Sequence, residues 1–265
     1  MASIAYHRPA SVAEAARLAA ADPDARVIAG GQSVLPAMKL GLLMPSSFID
    51  LAGLAELRGI RADGKSISVG AMVTHAVVAE SRELRAALPA LSILAEGIGD
   101  AQVRNRGTIG GSLANSDPAA DYPAAVLALN ATIRTNQRAI AAAGFFKGLF
   151  ETDLKPGELI TAIEFPISAR AAYVKFRQPA SRFALVGVFV AQTGAGVRVA
   201  VTGAATHAYR LEVLEEALAK RFVPEACSAI TVAPQGLNSD LHGSAEYRAS
   251  LIPVLARRAV QKLVG

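Results

Sequence analysis

Two stretches of this chain pair glycines with hydroxyls in a way that suits an anionic ligand. The first is Ala29-Gly30-Gly31-Gln32-Ser33, running into Val34. Paired glycines let backbone N–H groups approach a phosphate with no Cβ in the way. The Ser33 hydroxyl would complete an anion nest. The pattern is neither GxGxxG nor a Walker loop, and an ordinary tight turn is the other reading. The second stretch runs from Thr108 through Gly110-Gly111-Ser112 to Asp117-Pro118-Ala119-Ala120-Asp121. It repeats the Gly-Gly pair beside two hydroxyls, Thr108 and Ser112, and then adds carboxylates. A carboxylate repels phosphate but accepts hydrogen bonds from ribose or ribityl hydroxyls further along a ligand. Asp117 before Pro118 reads as a turn starter. Two such loops about 80 residues apart point to one long diphosphate ligand gripped between two lobes. FAD fits that description. NAD would normally bring the Rossmann fingerprint, which is absent.

The elements that must position these loops are legible in part. Ser11 with Glu14 three residues on has capping-box spacing and opens a helix over 11–22. Arg26–Ala29 reads as a short buried strand delivering the first loop, and 47–51 as a second strand. Asp63-Gly64 supplies the turn of a hairpin over 58–71. Residues 74–96 follow a helical pattern, and 97–123 read as one long functional loop. A strand is expected over 158–167. From 171 the texture changes to three successive strands, followed by helices over 211–220, 224–229 and 244–263. Strands followed by helices give an α+β class with a domain boundary near 170.

Composition removes several functions. The chain has 265 residues, enough for one large domain or two to three small ones. No apolar run approaches the ~18–20 residues of a membrane span, and the N-terminus lacks the pattern of a signal peptide, so a soluble, cytoplasmic protein is expected. Cys227 is the single cysteine. It cannot form an internal disulfide or hold an iron–sulfur cluster, which takes about four cysteines. His7, His75, His207 and His242 are scattered, so no metal site is expected. The net charge of +5 is spread without a basic run, which argues against nucleic acid. It reads as a solvated surface or as attraction to an anionic cofactor. No triad or general-base constellation stands out, so no catalytic side chain is assigned and the hard chemistry falls to a cofactor.

The segments VIAGGQSVLPAMKLG (27–41) and VRNRGTIGGSLANSDPAADYPA (103–124) resemble the FAD-binding medium subunit of the xanthine dehydrogenase and carbon monoxide dehydrogenase family of molybdenum hydroxylases. The likeness continues through ELITAIEFP, YVKFRQPASRFALVGV and SAEYRASLIPVLARRAV, so it spans the chain. The resemblance implies a two-lobed FAD-binding domain over 1–170, of the PCMH type and vanillyl-alcohol-oxidase-like, with lobes of about 1–55 and 56–170. A C-terminal α+β domain over 171–265, with a three-stranded antiparallel sheet and helices, would cover the flavin and help assembly.

By the same resemblance Ala29, Gly30, Gly31, Gln32, Ser33 and Val34 hold the pyrophosphate. Thr108, Gly110, Gly111 and Ser112 add a second cradle, and Asp121 binds sugar hydroxyls. Ile98 packs against the cofactor, and Leu159 or Ile160 lines the adenine or flavin pocket; ordinary core is the alternative for all three. Lys175 and Arg177 precede the turn 178–182. Some relatives carry lysine where Arg177 stands, and a fixed positive charge there favours the anionic reduced flavin and raises its potential; a solvated surface charge is the other reading. Several relatives carry an acidic residue where this chain has Arg182, which leaves the electron acceptor open. Tyr247 and Arg248, on a C-terminal helix, read as packing and capping.

The implied role is an electron relay. Substrate is hydroxylated at molybdenum, with water, on a large molybdopterin subunit. Electrons pass through two [2Fe–2S] clusters of a small subunit to FAD on this chain, and then to an external acceptor. A heterotrimer pairing into a heterohexamer is implied. The substrate (carbon monoxide, a purine, an aldehyde or an N-heterocycle) stays open. Two other classes stand beside this one: a stand-alone flavin oxidase of the vanillyl-alcohol oxidase type, usually a longer chain, and a binding module that has lost its flavin. The cradle reading makes a direct prediction. Gly111→Val should abolish FAD binding by placing a side chain against the pyrophosphate. Normal flavin occupancy in the folded variant, read from its visible spectrum, would remove that assignment.

Overall fold

The computed structural model describes residues 4–167 and 170–265. The chain begins with a three-stranded parallel sheet in which Ser47–Asp50 lies between Ala5–His7 and Arg26–Ile28. The helix Val12–Ala21 connects the first of these to Arg26–Ile28. Ser11 caps it: its Oγ accepts from the Glu14 N–H at 3.2 Å. The Glu14 carboxylate reaches back to the Ala10 N–H at 2.8 Å, one residue before the usual capping-box partner. The central strand is buried at all four positions. A small core of Val12, Ala15, Ile49, Leu51 and Leu54 also takes in Met72 and Leu159 from the following unit, so the two are packed together.

The second unit is a five-stranded antiparallel sheet, ordered Ile60–Ala62, Ser66–Gly70, Ile160–Pro166, Thr132–Thr135, Ala139–Ala141. The hairpin turns at Asp63-Gly64 as its sequence implies. Asp63 Oδ1 accepts from the Lys65 and Ser66 N–H groups, and Gly64 sits at φ +85°. Two expectations need correction. The helical pattern over 74–96 is three short helices, His75–Glu80, Arg82–Ala87 and Pro89–Glu96. Ser81 starts a new helix with its own cap, and Pro89 sits in the first turn of the next. The presumed loop 97–123 contains the helices Ala101–Arg106 and Ile109–Asn115, capped by Asp100 and Thr108. The Gly110-Gly111 pair disfavours a helix by propensity. Packing overrides this: a Cβ on Gly110 would lie 2.5 Å from the Ala71 Cβ, so glycine lets the helix close onto the sheet.

The C-terminal sheet is antiparallel and has four strands, where three were expected. Arg170–Arg177, Ala184–Thr193 and Gly196–Thr202 are joined by Tyr209–Arg210. Two residues are too few to show an alternating pattern, so this strand exists only through its pairing with Ala200 and Val201. The first eight residues of Ala184–Thr193 are buried. Alternation explains it. Val186, Val188 and Val190 face a core with Ile252 and Leu255 of the helix Ala245–Val264, whereas Phe189 and Ala191 face the core that contains Tyr122 and Phe165. The sheet is therefore filled on both sides and shares one of its cores with the second unit. Among the described residues no helix is long and apolar enough to cross a membrane.

Arg248 anchors the last helix, as a packing role requires. It is 3% exposed. Its guanidinium donates to the Leu185 and Gly203 carbonyls at 2.8 and 2.9 Å and to Asp240 at 2.7 Å. Tyr247 meets the Phe176 ring edge-on. Arg248→Met strands those buried carbonyls, and a loss of about 2–4 kcal/mol is expected in urea unfolding of the purified chain. An unchanged midpoint would show the anchor to be dispensable.

Candidate functional site: a cleft between two glycine loops

A cleft of about 470 Å³ opens beyond the carboxyl end of the parallel strand Arg26–Ile28, where the chain turns into the first glycine loop. In open α/β sheets ligands gather at that end of the strands. Every residue expected in the site lines this cleft except Lys175 and Arg177. The first loop is built for donors. Gly31 sits at φ +73°, in the left-handed region that glycine tolerates. A Cβ on Gly30 would fall 2.0 Å from the Arg106 carbonyl oxygen, so the loop lies directly against the second. Among the described residues no protein group accepts from the backbone N–H of Gly30, Gly31, Gln32 or Ser33. Four successive free amides in residues that line a cleft are the donors from which an anion nest is built.

The second loop differs in kind. The Ile109 and Gly110 amides donate to the Val73 and Ala71 carbonyls at 3.1 and 2.9 Å. The Gly111 amide donates to Thr108 Oγ1 at 3.1 Å, and the Ser112 amide to the Thr108 carbonyl at 3.0 Å. These donors are spent inside the protein. The wall they build offers close approach, with the Cβ-free face of Gly111 turned toward Ala29.

Asp117 starts its turn as expected, accepting from the Ala119 amide at 2.8 Å, and also lines the cleft. Asp121 lines it too and is 4% exposed. Its two oxygens accept from the Tyr173 hydroxyl and from Lys175 Nζ, the latter at 2.9 Å. Burial raises the Asp121 pKa, and the Lys175 charge pulls against it. Lys175 thus stands behind the cleft wall as a paired ion, and it also donates to the Arg182 carbonyl at 2.9 Å. Arg177 is exposed on the same strand.

Two arginines line the wall itself: Arg26, whose guanidinium donates to the Pro23 and Ala25 carbonyls, and Arg182. Arg182 has φ +62°, and its guanidinium donates to the Gly99 carbonyl at 3.1 Å. The turn Ser181–Phe183 thereby brings the C-terminal sheet to the mouth of the cleft. Ile98 supplies part of the apolar wall. Leu159 and Ile160 do so while also belonging to the cores of the first and second units. Glu158 fixes that pair. It accepts from Arg138 at 2.9 and 3.0 Å, from Thr135 at 2.8 Å and from the Lys155 amide at 2.9 Å. The Arg138 contact pulls its carboxyl down to about 2.

Sequence reasoning passed over His75, Glu158, Phe183 and the position of Arg182 in the wall. His75 is 5% exposed, and its Nδ1 has no hydrogen-bond partner among the described residues. Burial, aided by the Arg104 charge, pushes its pKa from 6.5 to about 4. The unfolded chain therefore takes up a proton that the folded chain refuses. The stability this protects is complete above pH 6.5 and is lost as the pH falls through about 4. His75→Phe should remove an acid-linked loss of about 3 kcal/mol across that window, read from urea midpoints at a series of pH values. Parallel pH profiles for the two proteins would contradict the assignment.

Residues 2–168 match the family described as the FAD binding domain in molybdopterin dehydrogenase. The chain is 36% identical over 272 residues to the nicotine 6-hydroxylase medium subunit of Paenarthrobacter nicotinovorans, covering 97% of this chain and 96% of that one. It is also 36% identical over 272 residues to the carbon monoxide dehydrogenase medium chain of Hydrogenophaga pseudoflava, covering 96% of this chain and 95% of that one. A chain of the reconstituted CO dehydrogenase from Oligotropha carboxidovorans superposes with a TM-score of 0.92 at 34% identity, over 98% of this chain and 97% of that one. A fold, a cleft with a free-amide nest and likeness over nearly the whole chain thus agree: this chain belongs to the FAD-binding medium subunits of the molybdenum hydroxylases of the xanthine dehydrogenase and carbon monoxide dehydrogenase family.

Proposed function

We propose that the cleft holds FAD and that the chain relays electrons from the [2Fe–2S] clusters of a small partner subunit to an external acceptor, while a large molybdopterin subunit oxidises the substrate. The observation that carries this is the run of free amides from Gly30 to Ser33, facing a Cβ-free second loop. A diphosphate provides the acceptors those amides lack. Ala29–Val34 would hold it. Thr108, Gly110, Gly111 and Ser112 would shape the opposite wall. Ile98, Leu159 and Ile160 would pack against the rings. Asp121 has both oxygens engaged, yet a carboxylate has about four acceptor sites, which leaves capacity for a sugar hydroxyl. Bound there, FAD supplies reversible electron transfer, which no side chain of this protein can supply. The chain's own residues bind, orient and exclude water. Because Asp121 compensates Lys175, Arg182 is the better candidate for tuning the flavin by charge.

The finer architecture follows the same reading. The proposed two-lobed domain, of the PCMH type and vanillyl-alcohol-oxidase-like, spans 1–170 with its lobes meeting near 55. A C-terminal domain spans 171–265. The end of the family match at residue 168 and the separate C-terminal sheet support that division. A dimer of heterotrimers in the cytoplasm completes the proposal. One cysteine cannot ligate a cluster, which supports placing the clusters on another chain.

Native co-purification from the source cells tests this, with a visible spectrum and metal analysis on one fraction. The expected result is flavin, iron and molybdenum together with two further chains, at the mass of a paired heterotrimer. Flavin on a solitary chain that turns over substrate by itself would replace the relay with a stand-alone oxidase.

A further inference from the structure

His75 is a polar side chain in the cleft wall to which the reading above gives no task. Its surroundings hold the ring in one place. The His75 amide donates to the Gly107 carbonyl at 2.9 Å, and Thr74 caps the helix that His75 begins. The Tyr122 ring packs against the imidazole at a centroid distance of 5.3 Å, tilted by 48°. Tyr122 offers no hydrogen bond in return, since its own hydroxyl is buried without a partner among the described residues. A proton on Nδ1 would be an orphaned buried donor, the rarer and costlier kind of unpaired group. A bare lone pair at Nδ1 costs less, so the proton belongs on Nε2.

The position of Nε2 is informative. It stands beside Gly107, where a Cβ would approach within 2.5 Å. Gly107 lines the cleft and in turn abuts the first loop, for a Cβ on Gly30 would lie 2.8 Å from the Gly107 Cα. Glycine at 107 thus leaves room for the imidazole edge at the seam where the two loops meet. That seam adjoins the free amides of Gly30–Ser33.

We infer that His75 donates a hydrogen bond from Nε2 to a phosphate oxygen of the bound dinucleotide, as a further member of the diphosphate site. This rests on the cofactor reading proposed above. A neutral donor adds direction at the seam without adding a charge to a buried position. The shift of the imidazole pKa to about 4 keeps the ring in that form at neutral pH.

The test uses the full-length chain with FAD, ADP and adenosine as probes. His75→Phe should weaken FAD and ADP about ten- to a hundredfold and leave adenosine unchanged, and His75→Gln should recover most of the loss. Parent-like affinity for FAD and ADP in both variants overturns the inference. Equal losses for adenosine and ADP overturn it as well, because the contact would then not be to phosphate. A measurement on the parent protein covers the case of a variant that does not fold. In ¹⁵N NMR of the four histidines, ADP at saturation should shift the His75 Nε2–H resonance, and no shift overturns the assignment. A parent chain that binds neither FAD nor ADP overturns the cofactor reading together with this inference, whereas a parent that binds both with indifferent His75 variants overturns the inference alone.

Discussion

The segment Pro118–Asp121 has left one helix and not yet entered the next, and its carbonyls find their donors on the C-terminal sheet. The single Thr202 hydroxyl proton is shared between the Pro118 and Ala120 carbonyls, with Oγ1 at 2.8 and 2.6 Å from them, the Gly203 amide donates to Pro118 at 2.7 Å, and the Ala184 amide to Ala119 at 3.4 Å. Tyr173 and Lys175 then take the Asp121 carboxylate. Buried carbonyls must be paired, and each pairing is modest in net worth but expensive to lose. One wall of the cleft therefore depends on partners that lie 52 to 85 residues later in the chain. Gly203 enters this contact at φ +81°, and a Cβ there would lie 2.5 Å from the Ala184 carbonyl oxygen.

The glycines divide by what the missing Cβ makes possible. At Gly31 it permits a backbone conformation that frees amides toward a ligand. At Gly30, Gly107 and Gly110 it permits protein to touch protein, so that the loops, the imidazole of His75 and the helix Ile109–Asn115 close on one another. The two Gly-Gly pairs consequently do different work. One presents donors. The other has its donors paired and contributes shape. The diphosphate proposed to lie between them would meet directional hydrogen bonds on one side and close packing on the other.

Charge is arranged with the same economy. Asp121 and Lys175 compensate each other out of water, at 4% and 6% side-chain exposure, and the pair ties the cleft wall to the C-terminal sheet. On the other side, the buried Glu158 pairs with Arg138, whose side chain is partly exposed, behind the apolar wall. Arg182, bonded to a carbonyl instead of a carboxylate, keeps its charge at the mouth of the cleft. Buried pairs of this kind are weak sources of stability and stronger sources of register, because removing either partner strands the other.

The sequence by itself determined whatever is settled within a few residues. The Ser11 cap, the Asp63-Gly64 turn, the long strands of the C-terminal sheet and the Gly-Gly loops all follow from local hydrogen bonding, chirality and alternation. Membership of the family could be read because the TIGGSLANSDPAADYP motif is long. Only the tertiary structure decided which amides stay free, because an amide is free or paired according to a carbonyl elsewhere: Ala71 takes that of Gly110, and nothing among the described residues takes that of Gly31. The same holds for the helices hidden in 97–123, for the two-residue fourth strand, for Lys175 turning from flavin neighbour to partner of Asp121, and for His75. Their neighbours in space are remote in sequence. Burial, desolvation and pairing act through space, and no local pattern of residue types records them.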